Sequence, residues 1–128
     1  MYKSAYVWDE QLTTYRFSEH HPLNPRRLAL THEQITSLGL LDGHEVKLVA
    51  PRPATYEELL TVHAQDYIEA VKRARPDLRF GLGTDDVPVV AGMHDAAAHI
   101  VGATLVAAEQ VMSGAVTPAF NISGGLHH

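Results

Sequence analysis

The sequence predicts an α/β domain built on a parallel β-sheet. Three short β-prone segments, residues 4–8, 45–50 and 117–122, alternate with helical segments along the chain. This order is typical of a parallel sheet whose strands are connected by helices. The chain has 128 residues, of which 45% are hydrophobic. That is enough for one globular domain with its own core.

The first strand and the first helix have clear boundary signals. Residues 4–8 (SAYVW) are β-prone and form the predicted first strand. Residues 24–39 then predict a helix, since Asn24 can cap it, Pro25 suits its first position and Gly39 can end it.

The next elements are a strand and two helices. Val46 and Leu48 belong to an alternating apolar pattern that predicts the second strand. Thr55 and Glu58 have the spacing of a capping box, which predicts the start of a helix. A further helix is predicted through residues 65–74.

A loop rich in turn residues precedes a long apolar segment. Residues 75–88 contain two prolines, two glycines and adjacent acids, which predicts a long and functional loop. Residues 87–114 are apolar nearly all round and rich in Ala and Gly. They predict a helix of about seven turns that is buried on several faces.

The third predicted strand, residues 117–122, leads into the sequence NISGGLHH. Ligands of open α/β sheets bind beyond the carboxyl ends of the strands, so this turn lies where a site is expected. Gly124 and Gly125 permit unusual backbone angles and a close approach to a ligand. His127 and His128 can accept and hold protons. These residues alone are equally compatible with a structural turn.

Composition excludes several classes of protein. The net charge is −5, so the basic residues at 72–79 predict the solvated end of a helix and no nucleic-acid partner. There is no cysteine, which excludes disulfides and thiolate metal sites and suits the cytoplasm. No apolar run is long enough for a signal peptide or a membrane span, so no membrane partner is expected.

Nine histidines raise the question of a metal site. Residues 31–36 begin like a zincin motif, but Thr36 stands where the second histidine belongs. His94 and His99 lie about 140° apart around a helix and do not share a face. Asp95 and His99 have the spacing of a helix-surface pair instead. No group of residues in the chain supplies the three or four ligands that zinc requires.

The predicted sheet is unfinished, because no covering helix follows the third strand. An uncovered strand edge or helix face is expected to produce a homo-oligomer.

Four sequence blocks carry a resemblance to a known family. They are HHPLNPRRL, ATYEELLTVHAQDYIEAV, FGLGTDDVPVVAGMHDAAAHIVGATLVAA and NISGGLHH. In this order and spacing they resemble the N-terminal portion of the histone deacetylase superfamily, ending at its Gly-Gly-Leu-His-His signature. The bacterial acetoin-utilisation deacetylases are the most similar branch. The resemblance covers nearly the whole chain.

This resemblance implies a fold and a reaction. The fold is the arginase-deacetylase type, a parallel β-sheet flanked by helices on both sides, incomplete in this chain. Residues 1–128 would be the N-terminal part of a single deacetylase domain. In the implied reaction a zinc-bound water attacks the acetyl carbonyl of acetyl-lysine or a related acetamide.

The resemblance also implies roles for individual residues. His128 corresponds to the general base, which later protonates the leaving amine. His127 corresponds to its charged partner, which stabilises the oxyanion.

Three further positions match residues around the substrate. Asp86 corresponds to the rim aspartate that binds the substrate backbone, with Asp85 as the alternative. Gly125 corresponds to the wall of the lysine tunnel. Arg27 corresponds to the arginine of the acetate channel, where a buried guanidinium would suit an anionic product.

The zinc ligands of the family follow the signature, at positions beyond His128. We therefore expect zinc in the intact enzyme, none in this chain, and no activity of these residues alone. The expected substrate is an acetylated protein or a small acetamide. Two alternatives remain: a stand-alone, non-catalytic domain for oligomerisation or partner binding, and an acetylpolyamine amidohydrolase.

Overall fold

The computed structural model describes residues 1–126 and contains a three-stranded sheet. The strands are β1 (Ser4–Val7), β2 (Val46–Val49) and β3 (Ala119–Asn121). The order is β2-β1-β3, and both neighbours pair with β1 in parallel. This confirms the parallel sheet and its three strands.

Four α-helices and two short 3₁₀ helices connect the strands. The 3₁₀ helices are Glu10–Thr13 and Leu78–Phe80, and the α-helices are α1 (Arg26–Ser37), α2 (Tyr56–Leu60), α3 (Gln65–Arg73) and α4 (Met93–Met112). Within the part of the chain that the structure describes, no helix has both the length and the apolar character needed to cross a membrane.

The predicted helix boundaries are confirmed where the signals are local. The Asn24 Oδ1 atom accepts a hydrogen bond of 2.9 Å from the Arg26 amide at the start of α1. Gly39 follows the end of α1 with a φ of 68°. Thr55 and Glu58 form both hydrogen bonds of the capping box at the start of α2. Each boundary therefore rests on contacts within a few residues.

The long apolar helix is shorter than predicted. α4 has 20 residues and begins after Gly92, whose φ of 77° is incompatible with a continuous right-handed helix. Val89 and Val90 precede it and pack against a buried cluster that contains Leu82 and Met93. Val89 and Val90 are therefore buried as part of the loop and not of the helix. Their apolar character extended the predicted helix too far towards the N-terminus.

One face of the sheet is fully packed against α4. Ala5 and Val7 of β1 are 0% exposed, and Val7 packs in one cluster with Ile100 and Ala103 of α4, which are 4% and 0% exposed. We call this side of the sheet the covered face. It holds the main core of the domain.

α4 also lies very close to the loop that follows β2. The Ala54 amide donates a hydrogen bond of 2.8 Å to the carbonyl oxygen of Ala98. A Cβ atom placed on Gly102 would lie 1.6 Å from the Arg52 carbonyl oxygen. Glycine is therefore required at position 102 by the approach of the loop backbone to the helix.

The opposite side of the sheet, the open face, is covered only over its central strand. The His32 ring of α1 stacks on Trp8 with ring centroids 4.1 Å apart and lies 3.1 Å from the Tyr6 hydroxyl. Leu48 and Phe120, the register partners of Tyr6 on both sides, are 60% and 58% exposed. Helices thus lie on both sides of the sheet, but the covering of the open face is partial.

Candidate functional site

A cavity of about 410 Å³ lies at the carboxyl end of β3. Three parts of the chain line it together with Asp86: residues 21–23, Arg27 of α1, and residues 122–126 after β3. It therefore brings together Arg27, Asp86 and Gly125, three of the site residues predicted from the sequence. His127 and His128 follow directly, and both lie outside the described residues.

The departure of the chain from β3 is fixed by Asn121. Its Nδ2 atom donates a hydrogen bond of 2.9 Å to the Thr104 hydroxyl on α4. Its Oδ1 atom accepts bonds from the amide and the hydroxyl of Ser123, at 3.0 Å and 2.6 Å. Such an Asx turn directs the following glycines into the cavity wall. A Cβ atom on Gly124 or Gly125 would meet nothing within 4 Å, so at these positions the wall is open.

Asp86 belongs to a loop with its own internal hydrogen bonds. The Gly83 amide donates to the Val87 carbonyl oxygen at 2.8 Å, and the Val87 amide donates to the Thr84 hydroxyl at 3.1 Å. Asp86 lines the cavity, whereas Asp85 lines a neighbouring one. Of the two aspartates considered from the sequence, Asp86 is the one that shares a cavity with Gly125 and Arg27.

Arg27 reaches the cavity from the first turn of α1, and the residue is exposed. The acetate-channel interpretation expects a buried guanidinium, so that role stays a prediction. The cavity nevertheless has a cationic side chain and an anionic side chain in its wall. Such a pair is suited to a polar substrate with both donor and acceptor groups.

His21 also lines the cavity, and the sequence assigned it no role. Its Nδ1 atom accepts a hydrogen bond of 3.1 Å from the Leu23 amide, and its Nε2 atom lies 3.3 Å from the Asp86 carbonyl oxygen. The edge of its ring packs against Phe17, with centroids 4.6 Å apart. Asp86 is 65 residues away in the chain, so no local sequence signal could have revealed this contact.

His94 and His99 of α4 line one cavity together with Asp95, although their spacing on the helix predicted that they would not share a face. Asp95 contacts His94, with 3.1 Å between Oδ1 and Nδ1. Asp95 and His99, the pair expected from their spacing, line the same cavity, but no hydrogen bond joins them within residues 1–126. The Nε2 atoms of His94 and His99 are buried and have no hydrogen-bond partner within residues 1–126.

The described residues do not fit a zinc ion. No group of three or more His, Cys, Asp or Glu side chains in residues 1–126 is placed to hold a metal. Zinc requires three or four such ligands. No chemical step is therefore assigned to a metal held by these residues.

The chain is similar to known proteins in sequence and in fold. The family model of the histone deacetylase domain matches residues 21–128. The acetoin utilization protein AcuC of Bacillus subtilis (strain 168) is 43% identical over 135 residues, and the match covers 100% of this chain and 34% of that protein. AcuC of Staphylococcus xylosus is 40% identical over 132 residues, with 98% and 34% covered.

The fold has a counterpart among solved structures. The crystal structure of the HDA15 HD domain superimposes with a TM-score of 0.78 at 21% identity, over 98% of this chain and 36% of that chain. The described residues thus have the architecture of an incomplete arginase-deacetylase fold. The chain spans about a third of the length of the curated relatives it matches. On these matches, the chain belongs to the histone deacetylase family.

Proposed function

We propose that residues 1–128 are the N-terminal part of a single zinc-dependent deacetylase domain. Its reaction would be the hydrolysis of acetyl-lysine, or of a related acetamide, to the free amine and acetate. The observation that carries this proposal is the cavity at the end of β3. It gathers Asp86, Arg27 and Gly125 beside the segment that continues into His127 and His128.

The family resemblance and the chemistry of each side chain suggest a role for each residue. His128 takes a proton from the attacking water and returns it to the leaving amine. His127, as a cation, stabilises the oxyanion of the tetrahedral intermediate. Asp86 accepts hydrogen bonds from the substrate backbone at the cavity rim. Arg27 attracts the acetate product, and Gly125 leaves space for the aliphatic stem of the substrate.

In this proposal the residues of this chain supply acid–base and substrate-binding groups, and the rest of the domain supplies the zinc ligands. When bound in the intact enzyme, zinc would activate the water and polarise the acetyl carbonyl. Residues 1–126 supply no ligand set for it. We therefore propose that the 128 residues alone hydrolyse nothing.

A fusion protein tests this proposal. The 128-residue chain would be joined to the part of the Bacillus subtilis relative beyond the matched third. We expect the fusion to deacetylate an acetyl-lysine peptide and the isolated chain to be inactive. Turnover by the isolated chain, or a zinc-loaded, folded fusion without turnover, would contradict the proposal.

Matched variants of the fusion separate the two acidic residues. Asp86→Asn should lower kcat/KM for the peptide by about tenfold or more, because a charge-assisted hydrogen bond to the substrate is weakened. Asp85→Asn, one residue away and outside the cavity, should have a much smaller effect. Comparing peptide with free acetylpolyamine as substrates distinguishes a protein deacetylase from an acetylpolyamine amidohydrolase.

The remaining partner and location proposals rest on composition. A net charge of −5 opposes binding to nucleic acid. The absence of cysteine suits the reducing cytoplasm, where we place the protein.

The second candidate function is self-association or partner binding. It is favoured by the open face, where Leu48 and Phe120 are 60% and 58% exposed. Exposed apolar side chains in register on one sheet face are suited to a second surface. We propose that, in the isolated 128-residue chain, a second copy of the chain covers these two side chains.

A further inference from the structure

His21 lies in the loop before α1 and connects that loop to the loop that contains Asp86. Both loops line the cavity. One loop contains Pro22 and Leu23 and leads into α1. The other contains Asp86 and leads towards α4. The His21 ring makes one hydrogen bond with each loop, through its two different nitrogen atoms.

The hydrogen-bond pattern fixes the protonation of this ring. The partner of Nδ1 is the Leu23 amide, which can only donate, at 3.1 Å. Nδ1 must therefore carry a lone pair. The partner of Nε2 is the Asp86 carbonyl oxygen, which can only accept, at 3.3 Å. Nε2 must therefore carry the proton, and the ring is the neutral Nε2–H tautomer.

We propose that His21, as a neutral Nε2–H imidazole, is a positioning residue that holds the Asp86 loop at the cavity rim. We call this pair of bonds the His21 clasp. It acts on the backbone of Asp86, through the carbonyl oxygen. Its importance for substrate binding rests on the function proposed above.

The clasp adds a long-range hydrogen bond to the bonds within the Asp86 loop. The internal bonds of that loop join Gly83, Thr84 and Val87 to one another. They shape the loop itself. The His21 bond spans 65 residues and connects the loop to the segment before α1, in addition to the packing of Val87 against the buried cluster of Leu82 and Met93. Phe17 supports the ring from the side, with centroids 4.6 Å apart.

Two substitutions of His21 each remove one of its two hydrogen bonds and can keep the other. In His21→Asn the side-chain oxygen can take the place of Nδ1 and accept from the Leu23 amide, but this shorter side chain makes no hydrogen bond to the Asp86 carbonyl oxygen. In His21→Gln the side-chain amide can take the place of Nε2 and donate to Asp86, but nothing accepts from Leu23. Both variants remain polar, and neither removes an apolar contact of the core.

The test uses the 128-residue chain without any substrate. A long-range ¹H–¹⁵N spectrum of the histidine rings should show His21 as the Nε2–H tautomer. Amide hydrogen exchange at Gly83 should be about threefold to tenfold faster in His21→Asn and close to wild type in His21→Gln. Exchange at Leu23 should show the reverse pattern.

An Nδ1–H tautomer would overturn the proposal, and so would equal exchange in the two variants at both amides. Because neither measurement involves turnover, an inactive fusion protein would count against the proposed deacetylase function and leave the clasp intact.

Discussion

The two faces of the sheet are built in different ways. The covered face meets a 20-residue helix, and its residues Ala5 and Val7 are 0% exposed. The open face carries a single stack over Tyr6, and its flanking residues Leu48 and Phe120 are more than half exposed. Apolar packing dominates the covered face, whereas the open face depends on a few aromatic and polar contacts.

This difference separates folding from association. Burial on the covered face supplies the main apolar stabilisation of the domain, at roughly 25 cal/mol per Å². The exposed apolar side chains on the open face contribute little to folding and favour contact with another surface. Variants on the two faces should therefore change different measured quantities.

The largest effect is expected for Gly102→Ala on the covered side. The new methyl group would lie 1.6 Å from the Arg52 carbonyl oxygen, so the loop after β2 must move away from α4. We expect the free energy of unfolding to fall by about 3 kcal/mol, as measured by urea denaturation. The control is Val101→Ala, where the side chain is 41% exposed. Equal stabilities of the two variants would contradict the close packing.

The next effect is expected for His32→Ala on the open side. The variant loses the stack on Trp8 and the contact with the Tyr6 hydroxyl, which together are worth about 1–2 kcal/mol. Burial raises the pKa of Tyr6 above its ordinary value of 10.0, so the variant should bring this pKa back towards 10.0. Spectrophotometric tyrosine titration measures that change.

The matched control for His32 is His44→Ala, at an exposed position in the loop before β2. This substitution should alter neither the stability nor the tyrosine titration. An unchanged titration in His32→Ala would show that α1 does not cover Tyr6.

A smaller effect, on association rather than stability, is expected for Phe120→Ser. The Phe120 side chain is 58% exposed, so the stability of the monomer should change little. If a second copy covers the open face, self-association should weaken about tenfold, from the loss of a buried aromatic contact. Light scattering over a concentration series measures this. Met112→Ser, at an 85% exposed position away from the sheet, is the control, and a monomeric wild type would refute the proposal.

The smallest effect concerns the ion pairs beside α4. Hydrogen bonds from the Arg52 guanidinium, at 2.9 Å and 2.8 Å, together with one from the Thr55 amide, lower the pKa of Glu58 from 4.5 to about 2. The stability that the pair contributes is therefore present above about pH 4.5 and is lost as the pH falls towards 2. Solvent screens both side chains, which are 38% and 33% exposed.

Glu58→Gln should flatten the decline in the free energy of unfolding between pH 4.5 and 2. Urea denaturation at several pH values measures this slope. Glu57→Gln, next in the chain and exposed, should keep the wild-type slope. The same slope in both variants would show that the Arg52 pair does not contribute.

Local signals made much of the fold predictable. The helix boundaries at Asn24, Gly39 and Thr55 depend on neighbouring residues, and all three were found. The alternating pattern of β2 predicted a strand but not its orientation, because the period of a strand does not say which face is buried. Leu48 consequently points outwards, while Val49 packs against the main core.

The site was predictable where the family signature reaches it. The family resemblance gave Asp86, Arg27 and Gly125 separate roles, and the structure places all three in the wall of one cavity. Their roles stay predictions. The His21 clasp and the contact between His32 and Tyr6 were not foreseen. Their partners are 65 and 26 residues distant, and only the folded chain brings them together.

The strand order β2-β1-β3 also has a consequence for synthesis. The central strand is made first, but its second partner, β3, begins at Ala119. At 5–20 residues per second, a nascent chain would carry β1 for roughly 6–20 s before β3 exists. During that time one edge of β1 has unpaired backbone groups, and it is open to ribosome-associated chaperones.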